Sequence, residues 1–310
     1  MKPFRKHVAI AIDGGGIRGI VVARALSMLE EALQTPSYQI FRLAVGTSTG
    51  SIISAAVAAG YSAQAIHGLY LKLGKTIFQK TWRSFFFPLT RYRYSPDPLN
   101  TALNEYLDQR KMGDFWTGSD PFDLVITAFD IATNHTRFIK SWKKEYQDWL
   151  VTEAVQASSS VPTYFPPVKG RYIDGGVGSY SNPCYIAAYE AMFCLGWDPA
   201  ETTLISLGTG RDLHHPQIED VQKYMPWQWI NPILGAFLQS ADDQQVHLVQ
   251  TFFQALDFRR FQVDLQQTFE MDDPSRMDEL TAYGEELGRK ILQDLTDPAM
   301  DIKISKAVAP

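Results

Sequence analysis

The sequence predicts an α/β fold of three layers, with a central, mainly parallel sheet between two layers of helices. Two observations carry this prediction. Short apolar runs rich in β-branched residues alternate with longer segments of helical spacing, and several of the short runs end in a glycine-rich turn. Strands buried on both faces of a parallel sheet are expected to be such continuous apolar runs. Because the 310 residues contain no internal repeat, low-complexity tract or clear linker, we expect one domain spanning 1–310.

The first hundred residues alternate strands with helices and then change character. We expect strands at 7–12 and 40–45, a helix at 20–33 and a buried, alanine-rich helix at 51–59. Residues 60–98, here called the basic segment, are basic, aromatic and interrupted by three prolines. We expect the basic segment to be a cap or lid of the domain.

The rest of the chain continues the alternation. Its expected helices are 99–107, 149–158, 183–195, 230–256 and 277–295, and its expected strands are 124–130, 136–140, 171–173, 203–207 and 261–265. The Asn134–His135 turn between two of these strands predicts a hairpin. The motifs described below lie between residues 8 and 210, and we expect residues 211–310 to be a helical C-terminal part of the same domain.

Composition and charge exclude some classes of function. Apolar residues make up 45% of the chain and charged residues 20%, which is ordinary for a globular protein. A net charge of −5 gives no reason to expect a nucleic-acid partner. The charge is uneven, since residues 32–96 have seven basic and no acidic residues, whereas 264–301 have eleven acidic and three basic residues. This asymmetry fits either a solvated face or a membrane-facing surface.

The cysteines and the N-terminus bear on the compartment. Cys184 and Cys194 are expected about 15 Å apart on one helix, too far for a disulfide. No metal-ligand spacing is present, and we expect neither a metal nor another cofactor. The first apolar run ends in a glycine turn without a small-residue cleavage site, so we expect a strand and not a signal peptide. The longest apolar stretch, 51–71, is interrupted by polar residues and spans no bilayer. We therefore expect a cytoplasmic protein.

The first glycine-rich turn runs from Asp13 to Gly19, between a strand and a helix. Its backbone N–H groups, beside a positive helix end, suit an anion, either a phosphate or an oxyanion. Gly14, Gly16 and Gly19 also match the G-x-G-x-x-G fingerprint of dinucleotide-binding proteins. Asp13 would repel a pyrophosphate, however, and no acidic residue follows about 20 positions later to bind a ribose. A transient oxyanion therefore fits better, with nucleotide or phosphate binding as the alternative.

The second turn, Gly46-Thr47-Ser48-Thr49-Gly50, has the pattern G-x-S-x-G. A sharp strand-to-helix turn needs small residues at both glycine positions and lifts the Ser48 hydroxyl clear of the backbone. The helix N-terminus that follows favours developing negative charge. We expect Ser48 to be a nucleophile, and a glycine-lined turn with a solvent-facing serine is the alternative.

A serine nucleophile needs a base, and one candidate is a histidine in a triad. His214 or His215 lies in a loop shortly after a predicted strand, which is the usual place for such a histidine. His135 lies in a turn, and His247 lies inside an amphipathic helix, where a solvated or satisfied role is more common. A triad would therefore use His214 or His215.

The third turn, Asp174-Gly175-Gly176, offers a different base. It ends a strand and precedes a loop rich in Gly and Ser, so its carboxylate could reach Ser48 directly as a dyad. An aspartate with an ordinary pKa of ~3.9 is a poor base at pH 7, so burial or loss of solvent would have to raise that pKa. The alternative is an Asx turn that caps its own backbone. The residues alone leave the dyad and the triad open.

Together, the three turns closely resemble the motifs of the patatin-like phospholipases. Supporting stretches at 157–167, 181–183 and 206–210 are similar to the same family, so the resemblance covers residues 8 to about 210. It implies a Ser–Asp dyad without histidine, in which Ser48 is the nucleophile and Asp174 the proton acceptor. It also implies an oxyanion-binding turn supplied by Gly14, Gly15, Gly16 and Arg18.

The resemblance implies hydrolysis of fatty-acyl esters, of the phospholipase A or lysophospholipase type, without a cofactor. The implied substrate is a phospholipid or another acyl lipid. Some bacterial members of the family are signal-gated effectors that degrade membranes. The resemblance therefore also suggests that this protein is such an effector. The oligomeric state stays open, a homodimer included.

The basic segment gains a role from this resemblance. Its aromatic residues are interleaved with Lys and Arg, a combination that suits the headgroup boundary of an anionic bilayer. We expect peripheral membrane association through a lid or docking surface whose contacts are Trp82, Phe85, Phe86 and Phe87. A packed cap whose aromatic side chains are core residues is the alternative.

Overall fold

The computed structural model describes residues 3–78, 84, 86, 89–117, 121–213, 221–225 and 229–296. Its strands are β1 (His7–Ile12), β2 (Leu43–Gly46), β3 (Asp123–Asp130), β4 (His135–Lys140), β5 (Tyr172–Asp174), β6 (Thr202–Leu207), β7 (Arg211–Asp212), β8 (Asp257–Phe261) and β9 (Asp264–Leu265). Its helices are α1 (Gly19–Leu33), α2 (Ser37–Ile40), α3 (Thr49–Ala58), α4 (Ala63–Ile77), α5 (Asp97–Leu107), α6 (Asp114–Thr117), α7 (Val151–Ser159), α8 (Cys184–Tyr189), α9 (Ile230–Phe252) and α10 (Met277–Thr296).

The main sheet has the order β4-β3-β2-β1-β6-β8, and β5 also pairs with β3. The central pairs from β3 through β2, β1 and β6 to β8 are parallel, whereas β4 and β5 are antiparallel to β3. The short strands β7 and β9 pair in parallel beside it. The sheet is therefore mainly parallel with an antiparallel hairpin at one edge, as predicted.

Helices cover both faces of this sheet. Successive residues of a strand point to opposite faces, so Ile10 and Ile12 of β1 pack with α1, α3 and α10, whereas Ala9 and Ala11 pack with α8 and α9. The helices α5 and α7 extend the first layer over β3. This confirms the predicted three-layer arrangement. Across the described residues, no helix combines the length and apolar character that crossing a bilayer requires.

Several predicted boundaries were wrong in the first half of the chain. The strand expected at 40–45 begins only at Leu43, because Pro36 starts a helical turn, α2, whose Gln39 N–H donates to the Pro36 carbonyl. The helix α4 was not predicted. Its Ser62 cap accepts the Ala65 N–H, and its apolar face is buried, so residues 63–77 of the basic segment belong to the layered core.

Other boundaries were wrong in the second half. The strand expected at 261–265 is divided, since β8 ends at Phe261 and β9 occupies Asp264–Leu265. The first part of β8 was missed because Asp257 and Arg259, which pair with each other, give this strand a polar sequence. The helix expected at 183–195 ends as α8 at Tyr189 and continues as a π-helix over Glu190–Cys194. The C-terminal part is not only helical, since it contains β7, β8 and β9.

Candidate active site

The sheet topology brings the second and third turns together. Both β2 and β5 lie on the same edge of β3, because β4 pairs with Val125–Asp130 on the other edge. The parallel strand β2 ends at Gly46, opposite Ile126, and the antiparallel strand β5 ends at Asp174, opposite Ala128. The two strands therefore run toward each other, and their C-terminal ends meet.

Ser48 stands at this junction in a strained backbone conformation. Its φ is 54° and its ψ is −123°, between β2 and α3. Such conformations cost about 1–3 kcal/mol and persist where the surroundings hold them. Here the Ser48 N–H donates to Ser158 Oγ at 2.8 Å, and the Ser48 carbonyl accepts from Ser51 Oγ at 2.6 Å and from Ser159 Oγ at 3.2 Å. We did not predict a role for these supporting serines.

The two glycines of the G-x-S-x-G turn are required by close backbone approach. A Cβ on Gly50 would overlap the Ile12 carbonyl, and a Cβ on Gly46 would overlap the Gly50 carbonyl. The turn therefore folds tightly against the end of β1. Ser48 itself is only 6% exposed, so the alternative of a solvent-facing serine does not hold.

Asp174 is buried at the end of β5, beside Ser48. Its Oδ1 accepts the Gly176 N–H at 2.8 Å, which is the Asx-type cap that we considered as an alternative role. Among the described residues, no hydrogen-bond donor reaches its buried Oδ2 with standard geometry. Burial raises the Asp174 pKa to about 6, although the nearby Ser48 hydroxyl and the Gly176 N–H both lower it. One oxygen thus caps the turn while the carboxyl group also faces Ser48.

The first glycine turn lies next to the side chain of Ser48. A Cβ on Gly14 would stand 3.3 Å from Ser48 Cβ. The Gly14 N–H donates to the Ser181 carbonyl at 2.9 Å, and the Gly14 carbonyl accepts from Thr209 Oγ1 at 2.6 Å. Within the part of the chain that the structure describes, the N–H groups of Gly15 and Gly16 have no acceptor. Of these two residues, Gly16 also lines the pocket described below.

Arg18 braces the loop through two backbone carbonyls. Its Nε donates to the Gly15 carbonyl at 3.3 Å, and its Nη1 reaches the Gly210 carbonyl at 3.5 Å. The next amide, that of Ile17, donates to the Met271 carbonyl at 2.9 Å. The turn is therefore held by residues far along the chain.

Asp13 does not point into the turn. Its carboxylate accepts two hydrogen bonds from Arg260, at 2.9 Å from Nη1 and 2.5 Å from Nη2. The charge that we expected to repel a pyrophosphate is therefore compensated by a partner that the sequence analysis missed.

An apolar pocket opens beside Ser48, and the empty space within it, counted together with its opening to solvent, is about 610 Å³. Its walls come mainly from α3, α4, α5 and the loop after α7, together with Met271 of the C-terminal third. The apolar lining includes Ile17, Ile52, Ile77, Phe78, Leu99 and Phe165.

None of the described histidines lines this pocket. His7 stacks on Trp197, His67 lies beside Thr281, His135 is exposed with its Nδ1 at 2.6 Å from the Thr133 carbonyl, and His247 is exposed on α9. The triad candidates His214 and His215 lie outside the described residues.

The basic segment contains both buried and exposed aromatic residues. Tyr94 is buried and packs edge-on against Phe78, with ring centroids 5.5 Å apart, as the packed-cap alternative expects. Phe86 is 51% exposed and Leu89 is 85% exposed. The other expected membrane contacts, Trp82, Phe85 and Phe87, lie outside the described residues.

Comparison with known proteins agrees with the resemblance of the motifs. A family model described as patatin-like phospholipase matches residues 10–188, more than half of the chain. Patatin group J-1 from Solanum tuberosum is 27% identical over an alignment that covers 91% of this chain and 83% of that protein. An intracellular phospholipase A2 from Caenorhabditis elegans is 30% identical, over 65% of this chain and 19% of its own length.

A solved structure, VipD from Legionella pneumophila, superposes with a TM-score of 0.50 at 14% identity, covering 94% of this chain and 67% of that one. At this identity the likeness is one of fold. The curated relatives add the chemistry, since they are patatins and a phospholipase A2. The chain belongs to the patatin-like phospholipase family and is a lipid acyl hydrolase.

Proposed function

We propose that the protein hydrolyses fatty-acyl esters of phospholipids or lysophospholipids with Ser48 as the nucleophile and Asp174 as the only side-chain base. One observation carries the proposal. A serine in a strained turn faces a buried carboxyl group, beside two backbone N–H groups without acceptors and next to an apolar pocket. Each part of an acyl-transfer site has a candidate in this arrangement.

In the proposed reaction, Ser48 Oγ attacks the ester carbonyl carbon while Asp174 takes the hydroxyl proton. The tetrahedral intermediate then collapses, the bond to the alcohol oxygen breaks, and Asp174 returns the proton to that leaving oxygen. An acyl-enzyme on Ser48 remains. Water attacks the acyl carbon with Asp174 again as the base, and the fatty acid and free Ser48 are released.

The raised pKa of Asp174 explains how an aspartate would serve without a histidine. Burial brings its pKa to about 6, so that the group is mostly ionised at pH 7 and still basic enough to take a proton. A general base works best when its pKa lies near the working pH. Catalytic hydrogen bonds are often poorly aligned before substrate binds, which fits the incomplete geometry at Oδ2.

We assign the oxyanion donors to the N–H groups of Gly15 and Gly16. One such donor is typically worth about 3–4 kcal/mol in the transition state. Gly14 would contribute the space beside Ser48 and not a hydrogen bond, because its N–H is held by Ser181. Arg18 would hold the turn in shape through the Gly15 carbonyl.

The pocket beside Ser48 indicates the part of the substrate that it would hold. Because its lining is almost wholly apolar, it suits a fatty-acyl chain, each buried methylene of which is worth about 0.8 kcal/mol. The ester carbonyl at the end of that chain would then lie at Ser48.

The experiment compares single variants on a p-nitrophenyl ester and on mixed phospholipid vesicles, with mass spectrometry of the products. We expect Ser48→Ala and Asp174→Ala to lose activity by a factor on the order of 10³ or more. Ser54→Ala is the matched control, because Ser54 is buried on α3 and its hydroxyl has no hydrogen-bond partner among the described residues. The vesicle arm also tests the membrane-degrading effector role, since such an effector must hydrolyse lipids in an intact bilayer.

Two outcomes would contradict the proposal. Activity retained in Asp174→Ala but lost in His214→Ala or His215→Ala would favour the triad. Thermal stabilisation by a nucleotide, in a protein without esterase activity, would favour the phosphate-binding alternative for the first turn.

A further inference from the structure

Arg260 is the centre of a buried polar network behind the first glycine turn. It lies on β8, and its guanidinium donates to three side chains from different elements. Nη1 reaches Asp13 Oδ1 and Ser206 Oγ at 2.9 Å each. Nη2 reaches Asp13 Oδ2 at 2.5 Å and the two oxygens of Asp242, on α9, at 3.0 and 3.1 Å. One cation thus joins β1, β6 and α9.

This network reaches Gly14 by two routes. The first is covalent, because Asp13 directly precedes Gly14. The second passes through Asp242 Oδ1, which accepts from Asn182 Nδ2 at 2.5 Å, to the neighbouring Ser181, whose carbonyl accepts the Gly14 N–H. Both the chain before Gly14 and the acceptor of its N–H are therefore fixed from Arg260.

We propose that Arg260 is a positioning residue of the oxyanion turn, which sets the direction of the Gly15 and Gly16 N–H groups through Asp13 and Ser181. This inference rests on the proposed function, because it names what holds the donors of that reaction. Arg260 lies outside residues 10–188, which match the family model. The C-terminal third would therefore complete the machinery whose motifs all lie earlier in the chain.

The planar fork of arginine is what this position requires. Two carboxylates and one hydroxyl are served by two nitrogens in one plane. A lysine would keep the charge but present one flexible ammonium, which has no fork to hold both oxygens of Asp13 in a fixed orientation. The conservative change Arg260→Lys therefore separates orientation from charge.

The test compares Arg260→Lys with Arg259→Lys. Arg259 is the preceding residue of the same strand, so its side chain points to the opposite face of the sheet. It is 4% exposed and pairs with Asp257 and Asp294. For Arg260→Lys we expect kcat on a soluble p-nitrophenyl ester to fall on the order of 10- to 100-fold. KM should change little, because the apolar pocket does not involve Arg260. Arg259→Lys should lower the melting temperature but leave kcat near that of the parent protein.

A second readout separates positioning from general loss of structure. A fatty trifluoromethyl ketone forms a tetrahedral oxyanion adduct with a serine, so its affinity reports the donors directly. Its inhibition constant should rise in Arg260→Lys by about the factor by which kcat falls. In Arg259→Lys it should stay unchanged.

A milder pair of variants keeps the test decisive if Arg260→Lys does not fold. Asp242→Asn weakens the support of Arg260 on α9, whereas Asp243→Asn changes the adjacent, exposed residue. We expect a severalfold loss of kcat only in Asp242→Asn. The inference is wrong if Arg260→Lys or Asp242→Asn keeps full kcat and inhibitor affinity, or if each loses no more than its control. If Ser48→Ala stays active in the same assay, the proposed function itself fails.

Discussion

At the scale of single residues, Asp174 combines two demands that oppose each other. Its carboxyl group is buried, which disfavours the charged form, yet the proposed reaction needs that charged form. The Gly176 N–H and the Ser48 hydroxyl recover part of the cost, and the resulting pKa of about 6 lies between an ordinary aspartate and an ordinary histidine. Burial thus supplies at this position the basicity that a histidine supplies in a triad.

The first prediction is the pH dependence of the reaction. Because Asp174 must be ionised to accept the Ser48 proton, kcat/KM for a soluble ester should fall on the acid side with an apparent pKa of about 6. Burial also raises the pKa of Asp13, so the profile should be repeated in Asp13→Asn. If the acid limb of the profile reports Asp174, its apparent pKa is the same in Asp13→Asn as in the parent protein, even if kcat/KM of the variant is lower. An acid limb near 4 would contradict the raised pKa.

The second prediction concerns stability and follows from the same burial. The folded-state pKa of Asp174 is raised, so the contribution of this group to the free energy of unfolding is largest at low pH and decreases as pH rises from the ordinary value of 3.8 through about 6. Asp174→Asn removes this penalty and keeps an oxygen for the Gly176 N–H. At pH 7 its free energy of unfolding should exceed that of the parent by up to about 3 kcal/mol.

Urea unfolding at several pH values measures this difference. The gain of Asp174→Asn should vanish below about pH 4, where both proteins carry an uncharged group at this position. A variant that is less stable than the parent at pH 7 would show that the carboxylate is better satisfied than its burial indicates. Activity should be lost in the same variant, as expected for a group that trades stability for function.

At the scale of elements, the turns between strands and helices were predictable because their chemistry is local. Gly46 and Gly50 predict a tight strand-to-helix connection. The structure shows the carbonyl contacts that exclude a side chain at both positions. The support behind the first turn was not predictable, because Arg260 and Asp13 lie 247 positions apart. The first part of β8 was missed for a related reason, since its Arg259 and Arg260 pair with Asp294 and Asp13, which are distant in the sequence.

The third prediction tests the first turn as an element. Gly16 has a φ of 58°, and a Cβ there would overlap the Met271 carbonyl, so Gly16→Ala must move the turn. We expect kcat on a soluble ester to fall on the order of 100-fold, because displaced donors no longer meet the oxyanion. Gly60→Ala is the matched control, since Gly60 has a φ of 89° and nothing lies within 4 Å of its Cβ position.

The control variant shares the backbone strain but not the contact. Gly60→Ala should lower the free energy of unfolding by about 1–2 kcal/mol, the cost of a left-handed alanine. Gly16→Ala should lower it by at least as much, because the added Cβ also meets the Met271 carbonyl. Only Gly16→Ala should lose kcat. Equal kcat in the two variants would show that the turn does not supply the oxyanion donors.

At the scale of the whole molecule, the catalytic candidates lie toward one side of the sheet. The pocket is built from α3, α4, α5 and the loop after α7, in the layer opposite to α8 and α9. The C-terminal helix α10 packs along α1 in the first layer, and its Leu280, Leu287 and Ile291 share one core with β1. We therefore propose that the chain folds as one domain, with the acid-free residues 32–96 around the pocket.

Exposed apolar residues of the basic segment lead to the last prediction. Phe86 and Leu89 belong to the basic segment, which is tied to the pocket wall because the Tyr94 N–H donates to the Tyr164 carbonyl. We expect the double variant Phe86→Ser and Leu89→Ser to weaken binding to anionic vesicles on the order of 10-fold or more, since each large apolar side chain contributes about 1.5–3 kcal/mol when buried. Hydrolysis of a short soluble ester should be spared.

Phe193→Ser is the control for this prediction, because Phe193 is 70% exposed but packs near Phe253 in the opposite layer. Vesicle flotation measures binding, and turnover of the same lipid in vesicles measures its consequence. If the double variant loses activity equally on the vesicle lipid and on the soluble ester, the two residues support the fold and the packed-cap alternative is correct. If Phe193→Ser weakens vesicle binding as strongly, the membrane meets the other layer. Loss confined to vesicles in the double variant alone would place the lipid surface at the mouth of the acyl pocket, where a chain leaving the bilayer reaches Ser48 by the shortest path.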